Sequence, residues 1–218
     1  MDFPRNLVNI KDYIKLDEIG KGSYSRVFKI KKIDTQKIYA AKFLGPFKEN
    51  KKYIENEIEL MSRFPNETIA EFVGYSLRDF DGDDNVVIIM KYYERGPLSK
   101  YINVNCLTKR KRQDILAGIA YGMIHLHKNK IIHRDLKPDN IFLDENVKPV
   151  ISDFGIAKKA SAEDITQTVG KYTPMYCAPE AFDAKYCLQS DVFSFAIIMF
   201  QMVTKKNPFP GIKSSFKL

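Results

Sequence analysis

The sequence predicts an α+β protein of two lobes, a small antiparallel β lobe with one main helix and a larger, mostly helical lobe. Three observations lead to this prediction. Short segments rich in Val, Ile, Tyr and Phe fill the region from Ile14 to Phe43 and are separated by polar or Gly-containing turns. Helical spacing of apolar residues dominates the region after "ERGPL". The 218 residues, 44% of them hydrophobic, are sufficient for one large core or two closely packed lobes.

The first lobe is predicted to hold strands around a single helix. The segments "YIKLDEIG", "SRVFKIKKI" and "KIYAAKFL" predict three strands, and a charged helix is expected from about Lys48 to Arg63. Two further strands, "AEFVGYSL" and "NVVIIMKYY", flank the acidic turn "RDFDGDDN". This turn is similar to a calcium loop, but Gly82 is misplaced for an EF-hand and no Glu ends the loop. A polar hairpin turn is therefore predicted.

The second lobe is expected to contain two long helices. In "RQDILAGIAYGMIHLHKNK", the residues Ile115, Ile119 and Ile124 recur near helical spacing. The other helix, from about Leu188 to Thr204, is apolar all round and is predicted to be buried in the centre of its lobe.

The net charge of +8 is unevenly distributed along the chain. Residues 1–90 hold 15 Lys/Arg and 15 Asp/Glu, so the whole excess lies in the second part. The densest group of positive charges is "KRKR" at 109–112. Such a group is typical of a nuclear-localisation or nucleic-acid-binding patch, or alternatively of a solvated helix start. The second interpretation is favoured because no aromatic residues are interleaved with the charge, and no nucleic-acid partner is expected.

The sequence also predicts the cellular compartment of the protein. The opening "MDFPRNLVNI" has no signal-peptide pattern, and the longest apolar segment, Val192 to Val203, is too short to span a bilayer. Cys106, Cys177 and Cys187 are odd in number and lack metal-type spacing, which favours free thiols in a reducing compartment. A soluble protein without a membrane partner is expected, in the cytoplasm or, alternatively, in the nucleus.

The first candidate site is the turn "GKGSYSRV", from Gly20 to Val27, between two predicted strands. A glycine-rich turn lets backbone N–H groups approach phosphate oxygens. Two glycines in a hairpin are more often only a turn, and Ser25 stands where a third glycine is expected.

The second candidate is Lys42, within the apolar strand "YAAKF". A lysine in such a strand usually faces the solvent. In the following helix, however, Ile54, Glu57 and Ile58 fall on one face, which places a carboxylate in the buried stripe. A charge buried there needs a partner, and Lys42 could supply it.

The third candidate combines "IIHRDLKPDN" with "ISDFG". Asn140 and Asp153 are symmetric about a turn near residues 146 and 147, so a hairpin in that register is expected to bring them side by side. Two oxygen ligands near phosphates suit Mg²⁺. Asp135 then lies beside the metal site, where a base for a substrate hydroxyl belongs.

These motifs together resemble those of the eukaryotic protein kinases. The residues that carry the resemblance are, in order, Gly20-x-Gly22-x-x-Ser25-x-Val27, Ala40-Ala41-Lys42, Glu57, His133-Arg134-Asp135-Leu136-Lys137-x-x-Asn140, Asp153-Phe154-Gly155 and Ala178-Pro179-Glu180. The resemblance extends from about Ile14 to Phe209. It implies a bilobal kinase fold with an N-terminal extension at 1–13, an N-lobe at 14–90, a hinge at 91–97 and a C-lobe at 98–218.

The resemblance also implies a role for each matching residue. Lys42 would hold the α- and β-phosphates of ATP and pair with Glu57; Asn140 and Asp153 would hold Mg²⁺; Asp135 would accept the proton of a protein hydroxyl; Lys137 would steady the γ-phosphate. Val27, Ala40 and Leu143 would enclose adenine, with Met90 at the back of the pocket and Lys91 to Tyr93 as the hinge. The nucleotide-binding set implied in full is Ile19, Gly20, Lys21, Gly22, Ser23, Tyr24, Ser25, Val27, Ala40, Lys42, Met90, Lys91, Tyr93, Leu143 and Asp153.

Several residues refine the type of kinase. Lys137, two residues after the implied base, and Thr173 resemble the serine/threonine kinases, and the helix that begins near Leu188 is similar to the tyrosine-kinase-like group of these enzymes. Arg134 beside the base implies control by phosphorylation of the segment between Asp153 and Glu180. The candidates for this modification are Ser161, Thr166 and Thr168, which are equally well interpreted as ordinary loop residues.

The sequence departs from the family at several places. The mild departures are Ser25, Pro97, Phe193 and Ala196. Because the sequence stops at Leu218, the last C-lobe helices are expected to be missing. No arginine follows Arg134, so Glu180 is expected to lack its usual partner. Apolar surface of the C-lobe would then be exposed and could associate with other proteins. The alternative function is therefore a kinase-like ATP-binding or interaction module without efficient phosphate transfer.

Overall fold

The chain folds into two compact units. A computed structural model describes residues 6–21, 25–159, 174–183 and 185–210. The first unit comprises residues 1–65 and 70–92, and the second comprises residues 66–69 and 93–218. The first is built on an antiparallel sheet and the second mainly on helices, so the predicted α+β class is confirmed.

The first unit contains a five-stranded sheet and one long helix. After a short 3-10 helix at Ile10–Asp12, its elements are β1 (Tyr13–Lys21), β2 (Arg26–Lys32), β3 (Ile38–Pro46), α1 (Phe47–Arg63), β4 (Phe72–Ser76) and β5 (Asn85–Lys91). The strand order is β1-β2-β3-β5-β4, with every neighbouring pair antiparallel. The strands and the helix expected from the sequence therefore form, each within a few residues of its predicted bounds.

The side chains of strand β3 alternate between the two faces of this sheet. Ala41 belongs to an apolar cluster on one face, together with Phe28 and Ile89. Because successive side chains of a strand point to opposite faces, Ala40 and Lys42 lie on the other face. Helix α1 packs on β3 and β5. The alternation thus places Lys42 on the face opposite this apolar cluster, although its sequence neighbours Ala41 and Phe43 belong to or pack against the cluster.

The segment before β1 is attached to the edge strand β4. The Val8 N–H donates to the Tyr75 carbonyl, and the Tyr75 N–H donates to the Asn6 carbonyl, both at 2.9 Å. A side chain at Gly74 would place its Cβ 2.5 Å from the Asn6 carbonyl oxygen. Glycine at position 74 therefore allows this close approach.

The acidic turn between β4 and β5 is organised by one aspartate. One carboxylate oxygen of Asp79 accepts hydrogen bonds from the N–H groups of Asp81 (2.9 Å) and Asp83 (3.0 Å). The other accepts a hydrogen bond from the Asn85 side-chain amide at 2.7 Å. The Asp79 carboxylate is thus used by the turn itself, and the polar hairpin turn predicted from the sequence is confirmed.

The described residues of the second unit form two long helices, two short helices, two strand pairs and two 3-10 turns. Its elements are α2 (Ser99–Ile102), α3 (Lys109–Lys128), β6 (Ile131–Ile132), β7 (Ile141–Leu143), β8 (Pro149–Ile151), β9 (Lys158–Lys159), α4 (Pro179–Phe182) and α5 (Leu188–Thr204), with 3-10 turns at Pro138–Asn140 and Pro174–Tyr176. β7 pairs with β8, and β6 pairs with β9. Among the described helices, none combines the length and apolar character needed to cross a membrane.

Helix α3 packs closely on the β7–β8 hairpin. A Cβ at Gly118 would lie 2.5 Å from the Pro149 ring, so only glycine permits this approach. The predicted helix forms, and its Ile115 and Ile119 are fully buried. Ile124, which was also placed near helical spacing, is 51% exposed. Five residues separate it from Ile119, and at about 100° per residue this spacing turns it well away from the buried face.

The prediction that α5 is buried in the centre of its lobe was wrong, because one of its faces is exposed. Its buried face includes the polar residues Asp191, Ser194 and Gln201, while four large apolar residues are exposed, namely Val192, Met199, Phe200 and Val203. Polar side chains can occupy the buried face because they have hydrogen-bond partners there. Ser194 Oγ, for example, donates to the Tyr176 carbonyl at 2.6 Å. Apolar content alone could not identify which face of this helix is buried.

The β7–β8 register differs by one residue from the expectation. Ile141 pairs with Ile151, and the Ser152 N–H donates to the Asn140 carbonyl at 2.8 Å. Asn140 is therefore opposite Ser152, not Asp153. The cause is a five-residue turn in which the Asp144 carboxylate accepts hydrogen bonds from two N–H groups, which centres the hairpin on residue 146. Asp153 follows the strand with a left-handed backbone, at φ 66°.

Candidate active site

Lys42 and Glu57 form a buried ion pair in the first unit. Lys42 Nζ lies 2.6 Å from Glu57 Oε1, and the two side chains are 7% and 1% exposed. Glu57 comes from the face of α1 on which Ile54 and Ile58 are fully buried. The helical spacing and the strand alternation therefore bring together the two residues that the sequence predicted as partners.

The other predicted nucleotide-site residues of the first unit lie on four strands. Ile19, Gly20 and Lys21 lie on β1, Val27 on β2, Ala40 on β3, and Met90 and Lys91 at the end of β5, while Ser25 precedes β2. Gly20 is opposite Val27 and Ala40 is opposite Met90 in the sheet register. The Lys91 N–H donates to the Glu71 carbonyl at 3.0 Å. Gly22, Ser23 and Tyr24 lie outside the described residues.

Three predicted nucleotide-site residues, Tyr93, Leu143 and Asp153, belong to the second unit. The Tyr93 ring packs against Phe142 with centroids 6.2 Å apart, and the Tyr93 carbonyl accepts a hydrogen bond from the Gly96 N–H at 2.9 Å. Leu143 is fully buried, and its N–H donates to the Gly96 carbonyl at 3.0 Å. The 93–96 turn is thus held against β7.

Asp135 is the centre of a polar cluster in the second unit. Its Oδ2 accepts hydrogen bonds from Lys137 Nζ at 2.6 Å and from the Asn140 side-chain amide at 2.9 Å. The same amide nitrogen donates to the Asp135 main-chain carbonyl at 2.8 Å. The side chains of Asp135 and Lys137 are 15% and 20% exposed. The hydrogen bonds therefore orient the Asp135 carboxylate while part of it stays accessible to a substrate.

The environment of Asp135 raises the pKa of its carboxyl group. Burial is the largest cause, since it disfavours the charged form, and the nearby Asp153 acts in the same direction. The charge and hydrogen bond of Lys137 oppose this effect, as does His133. A carboxylate whose pKa is raised is a better proton acceptor than an ordinary aspartate.

A buried aspartate on α5 holds the loop that carries Asp135. Asp191 Oδ2 accepts the His133 N–H at 2.8 Å, and Oδ1 accepts the Arg134 N–H at 2.9 Å. His127 Nε2 lies 3.0 Å from the same carboxylate. Sequence reasoning missed Asp191, although an aspartate at the start of an otherwise apolar helix is a signal that could have found it.

The His133 ring supports the same loop from another side. Its Nδ1 accepts the Asp135 N–H at 3.3 Å, so Nε2 carries the proton and donates to the Ser152 carbonyl at 3.0 Å. The ring also packs against Phe154, with centroids 5.2 Å apart. The main chain around Asp135 is therefore fixed by buried hydrogen bonds.

Arg134 stacks on an aromatic ring. Its guanidinium carbon lies 4.1 Å from the centroid of Tyr186, and its backbone is left-handed at φ 71°. The predicted phosphorylation sites Ser161, Thr166 and Thr168, and Thr173, lie outside the described residues. Glu180, half-buried, accepts a hydrogen bond from Ser190 Oγ at 2.7 Å.

The residues expected to bind Mg²⁺ suit that ion chemically. Because the Asn140 amide nitrogen is used by Asp135, a cation would be bound through the Asn140 amide oxygen. Amide and carboxylate oxygens are the ligands that Mg²⁺ prefers, and it usually takes only one or two carboxylates beside phosphates and water. Asp153, half-buried after β8, supplies such a carboxylate.

The sequence is similar to known proteins over most of its length. The protein kinase domain family matches residues 13–217. The chain is 33% identical over 200 residues to the PR5-like receptor kinase of Arabidopsis thaliana, covering 87% of this chain and 30% of the relative. It is 33% identical over 209 residues to serine/threonine-protein kinase ULK3 of Xenopus laevis, covering 92% and 43% respectively.

A third relative is named inactive serine/threonine-protein kinase PLK5, from Mus musculus, and is 31% identical over 198 residues, covering 88% of this chain and 32% of the relative. The chain thus spans less than half the length of each of these three relatives. Since the family match covers nearly all of the sequence, the chain belongs to the protein kinase domain family.

Proposed function

We propose that this chain is an ATP- and Mg²⁺-dependent serine/threonine protein kinase. The observation that carries the proposal is the cluster around Asp135, where Lys137 Nζ and the Asn140 amide both contact one carboxylate oxygen. A partly exposed carboxylate with a raised pKa, fixed beside a lysine and a metal-ligand candidate, is suited to accept a proton from a hydroxyl group.

In the proposed reaction, a Ser or Thr hydroxyl oxygen of a protein substrate attacks the γ-phosphorus of ATP. The bond between that phosphorus and the β–γ bridging oxygen breaks, ADP leaves, and Asp135 accepts the hydroxyl proton. Lys137 steadies the transferring phosphoryl group. Catalysis of this kind depends mainly on positioning and charge stabilisation.

Lys42 is the proposed contact to the α- and β-phosphates. The pair with Glu57 at 2.6 Å holds its ammonium group in one place. Mg²⁺, held by Asn140 and Asp153, would supply neutralisation of the charge on the phosphates. Val27, Ala40 and Leu143 are each proposed to contact adenine, with the remaining nucleotide contacts as the resemblance implies.

The serine/threonine type rests on Lys137 and on relatives with that description. The tyrosine-kinase-like placement and control through Arg134 stay predictions.

A second candidate is an ATP-binding or interaction module with little transfer activity. Two observations favour it: Val192, Met199, Phe200 and Val203 are exposed on α5, and one relative is named inactive. An exposed apolar stripe of this kind is typical of an association surface.

Transfer of labelled phosphate from ATP to a generic Ser/Thr substrate separates the two candidates. The chain is compared with Asp135→Asn and Asp153→Asn. The kinase proposal expects transfer by the chain and a loss on the order of 100-fold or more in each variant. Equal signal from all three would refute it. Stabilisation by Mg-ATP that disappears in Asp153→Asn, without transfer by any of them, would support the module.

A further inference from the structure

The positive charge of the second unit is concentrated in two segments without acidic residues. Residues 96–113 hold five Lys/Arg and no Asp/Glu, and residues 192–210 hold two Lys and no Asp/Glu. Elsewhere the charges are mixed, and residues 1–90 are neutral in sum. These two segments therefore account for most of the net charge of +8.

The fold joins these two segments although 78 residues, 114–191, separate them. The Arg112 guanidinium donates hydrogen bonds to four main-chain carbonyls, those of Ile102 (3.5 Å), Val104 (3.0 Å), Leu107 (3.3 Å) and Met202 (3.1 Å). Lys205 Nζ also donates to the Asn105 side chain. The 102–107 loop, the start of α3 and the end of α5 thus form one anchored corner.

The four cations of "KRKR" have different surroundings. Arg112 is used inside the corner, Arg110 pairs with Asp114 at 3.1 Å, and Lys111 Nζ donates to the Asn146 carbonyl at 3.4 Å. Lys109 is exposed and has no ion-pair partner among the described residues. A solvated helix start explains Arg110, but it does not explain why the fold joins the segment that carries Lys109 to a second segment that carries Lys205 and Lys206.

The exposed groups of this corner combine charge and apolar surface. Lys206 also has no ion-pair partner in the part of the chain that the structure describes. Val104 is 50% exposed and Val203 is 69% exposed, each within two residues of a contact that anchors the corner. We refer to Val104, Lys109, Val203, Lys205 and Lys206 as the basic corner.

We propose that the basic corner binds an acidic segment of a partner protein that carries aliphatic side chains among its carboxylates. Carboxylates would face Lys109, Lys205 and Lys206, and complementary charge both accelerates and orients such an encounter. The aliphatic side chains would contact Val104 and Val203. Binding of this kind needs no phosphoryl transfer and goes beyond the proposed kinase reaction.

The chemistry of the corner favours a protein segment over other polyanions. Single-stranded nucleic acid is usually bound by cations interleaved with aromatic rings on which bases stack, whereas the apolar groups here are valines. Val203 ends the exposed apolar stripe of α5, but the other groups of the basic corner lie on a loop, at the start of α3 and after the end of α5. A membrane-surface helix presents its apolar and basic groups along one helix, whereas groups on separate segments suit a short extended peptide.

The test uses the full chain and a fluorescent acidic peptide that alternates Glu with Leu or Val. Fluorescence anisotropy at low and moderate salt measures its affinity, against the same peptide with Gln in place of Glu. An oligonucleotide and vesicles containing phosphatidylserine are measured in parallel. We expect the Glu peptide to bind, the Gln peptide to bind much more weakly, and affinity to fall as salt rises.

The decisive variant is Lys109→Glu/Lys206→Glu. It should weaken binding of the acidic peptide by about tenfold or more, since two attractions become repulsions. The matched control is Lys52→Glu/Lys128→Glu, which makes the same change in net charge at exposed lysines outside the corner. Circular dichroism and melting temperatures establish that both variants are folded.

Three results would overturn the proposal. One is equal binding by the chain and the corner variant, and another is an equal loss in the control, which would indicate a response to net charge alone. The third is tight binding of the oligonucleotide or the vesicles together with negligible binding of the acidic peptide. None of these results depends on kinase activity, so a chain that transfers no phosphate leaves the test intact.

Discussion

Two lysine–carboxylate pairs in this molecule have the same N–O distance and very different surroundings. Lys42 and Glu57 lie 2.6 Å apart with side chains 7% and 1% exposed. Lys137 and Asp135 also lie 2.6 Å apart, but their side chains are 20% and 15% exposed, and the carboxylate is shared with Asn140. Distance alone therefore does not distinguish the two pairs.

Burial determines what each pair can do. A fully buried charge depends on its partner, because the folded state cannot replace that partner with water. Glu57 is thus suited to hold Lys42 in place. Asp135 is desolvated enough for its pKa to be raised and exposed enough to meet a substrate. The first pair is suited to positioning and the second to proton transfer.

The largest expected effect is the loss of Lys42. In Lys42→Met, the buried Glu57 carboxylate loses its cation, which typically costs about 3–5 kcal/mol of unfolding free energy. Urea unfolding at neutral pH measures this loss. The double variant Lys42→Met/Glu57→Leu removes both charges and should recover most of the stability without recovering phosphate transfer. A single variant as stable as the original chain would contradict the structural role of this pair.

Asp135→Asn is expected to act in the opposite way on stability. The folded-state pKa of Asp135 is raised, so the contribution of this group to stability is full below its unfolded pKa and is lost as pH rises through the folded pKa. Asparagine does not ionise and avoids that loss. At neutral pH the urea midpoint of the variant should equal or exceed that of the original chain, and the difference should shrink toward about pH 4. A large fall in the midpoint at neutral pH would contradict this reasoning.

Removal of Lys137 should change the pH dependence of transfer. The charge and hydrogen bond of Lys137 lower the pKa of Asp135, in opposition to burial. In Lys137→Ala that pKa rises further, so the acidic limb of the kcat profile should move to higher pH. Lys137→Arg keeps the charge and should leave the limb close to its original position. A profile of unchanged position in Lys137→Ala would indicate that Asp135 is not the titrating group.

The smallest effect is expected at an exposed pair. Arg26 and Glu18 also approach within hydrogen-bond distance, but their side chains are 58% and 31% exposed. Solvent and salt screen such pairs, so Arg26→Ala should leave the melting temperature nearly unchanged. A loss comparable to that of Lys42→Met would show that distance, and not burial, determines the value of an ion pair in this protein.

Much of the site could be predicted from the sequence because its signals are local. The spacing of Ile54, Glu57 and Ile58 identified the buried carboxylate, and the need of a buried charge for a partner pointed to Lys42. The hairpin register was missed by one residue because the Asp144 side chain organises the turn, and this kind of hydrogen bonding has no periodic signature.

The rest of the site depends on contacts between distant segments. Asp191 lies more than 50 residues from the loop that it holds, and apolar content along α5 gave no sign of which face it occupies. The same holds for the basic corner, where Arg112 reaches Met202. Such contacts follow from tertiary packing, which single-sequence patterns do not determine.

The most direct measurement of the central claim is phosphate transfer per folded molecule in Asp135→Asn. Transfer of labelled phosphate to a Ser/Thr peptide is divided by the folded fraction from circular dichroism, for this variant and for the original chain. The account predicts transfer reduced on the order of 100-fold or more with the folded fraction unchanged. Undiminished transfer by the folded variant would contradict the assignment of Asp135 as the base.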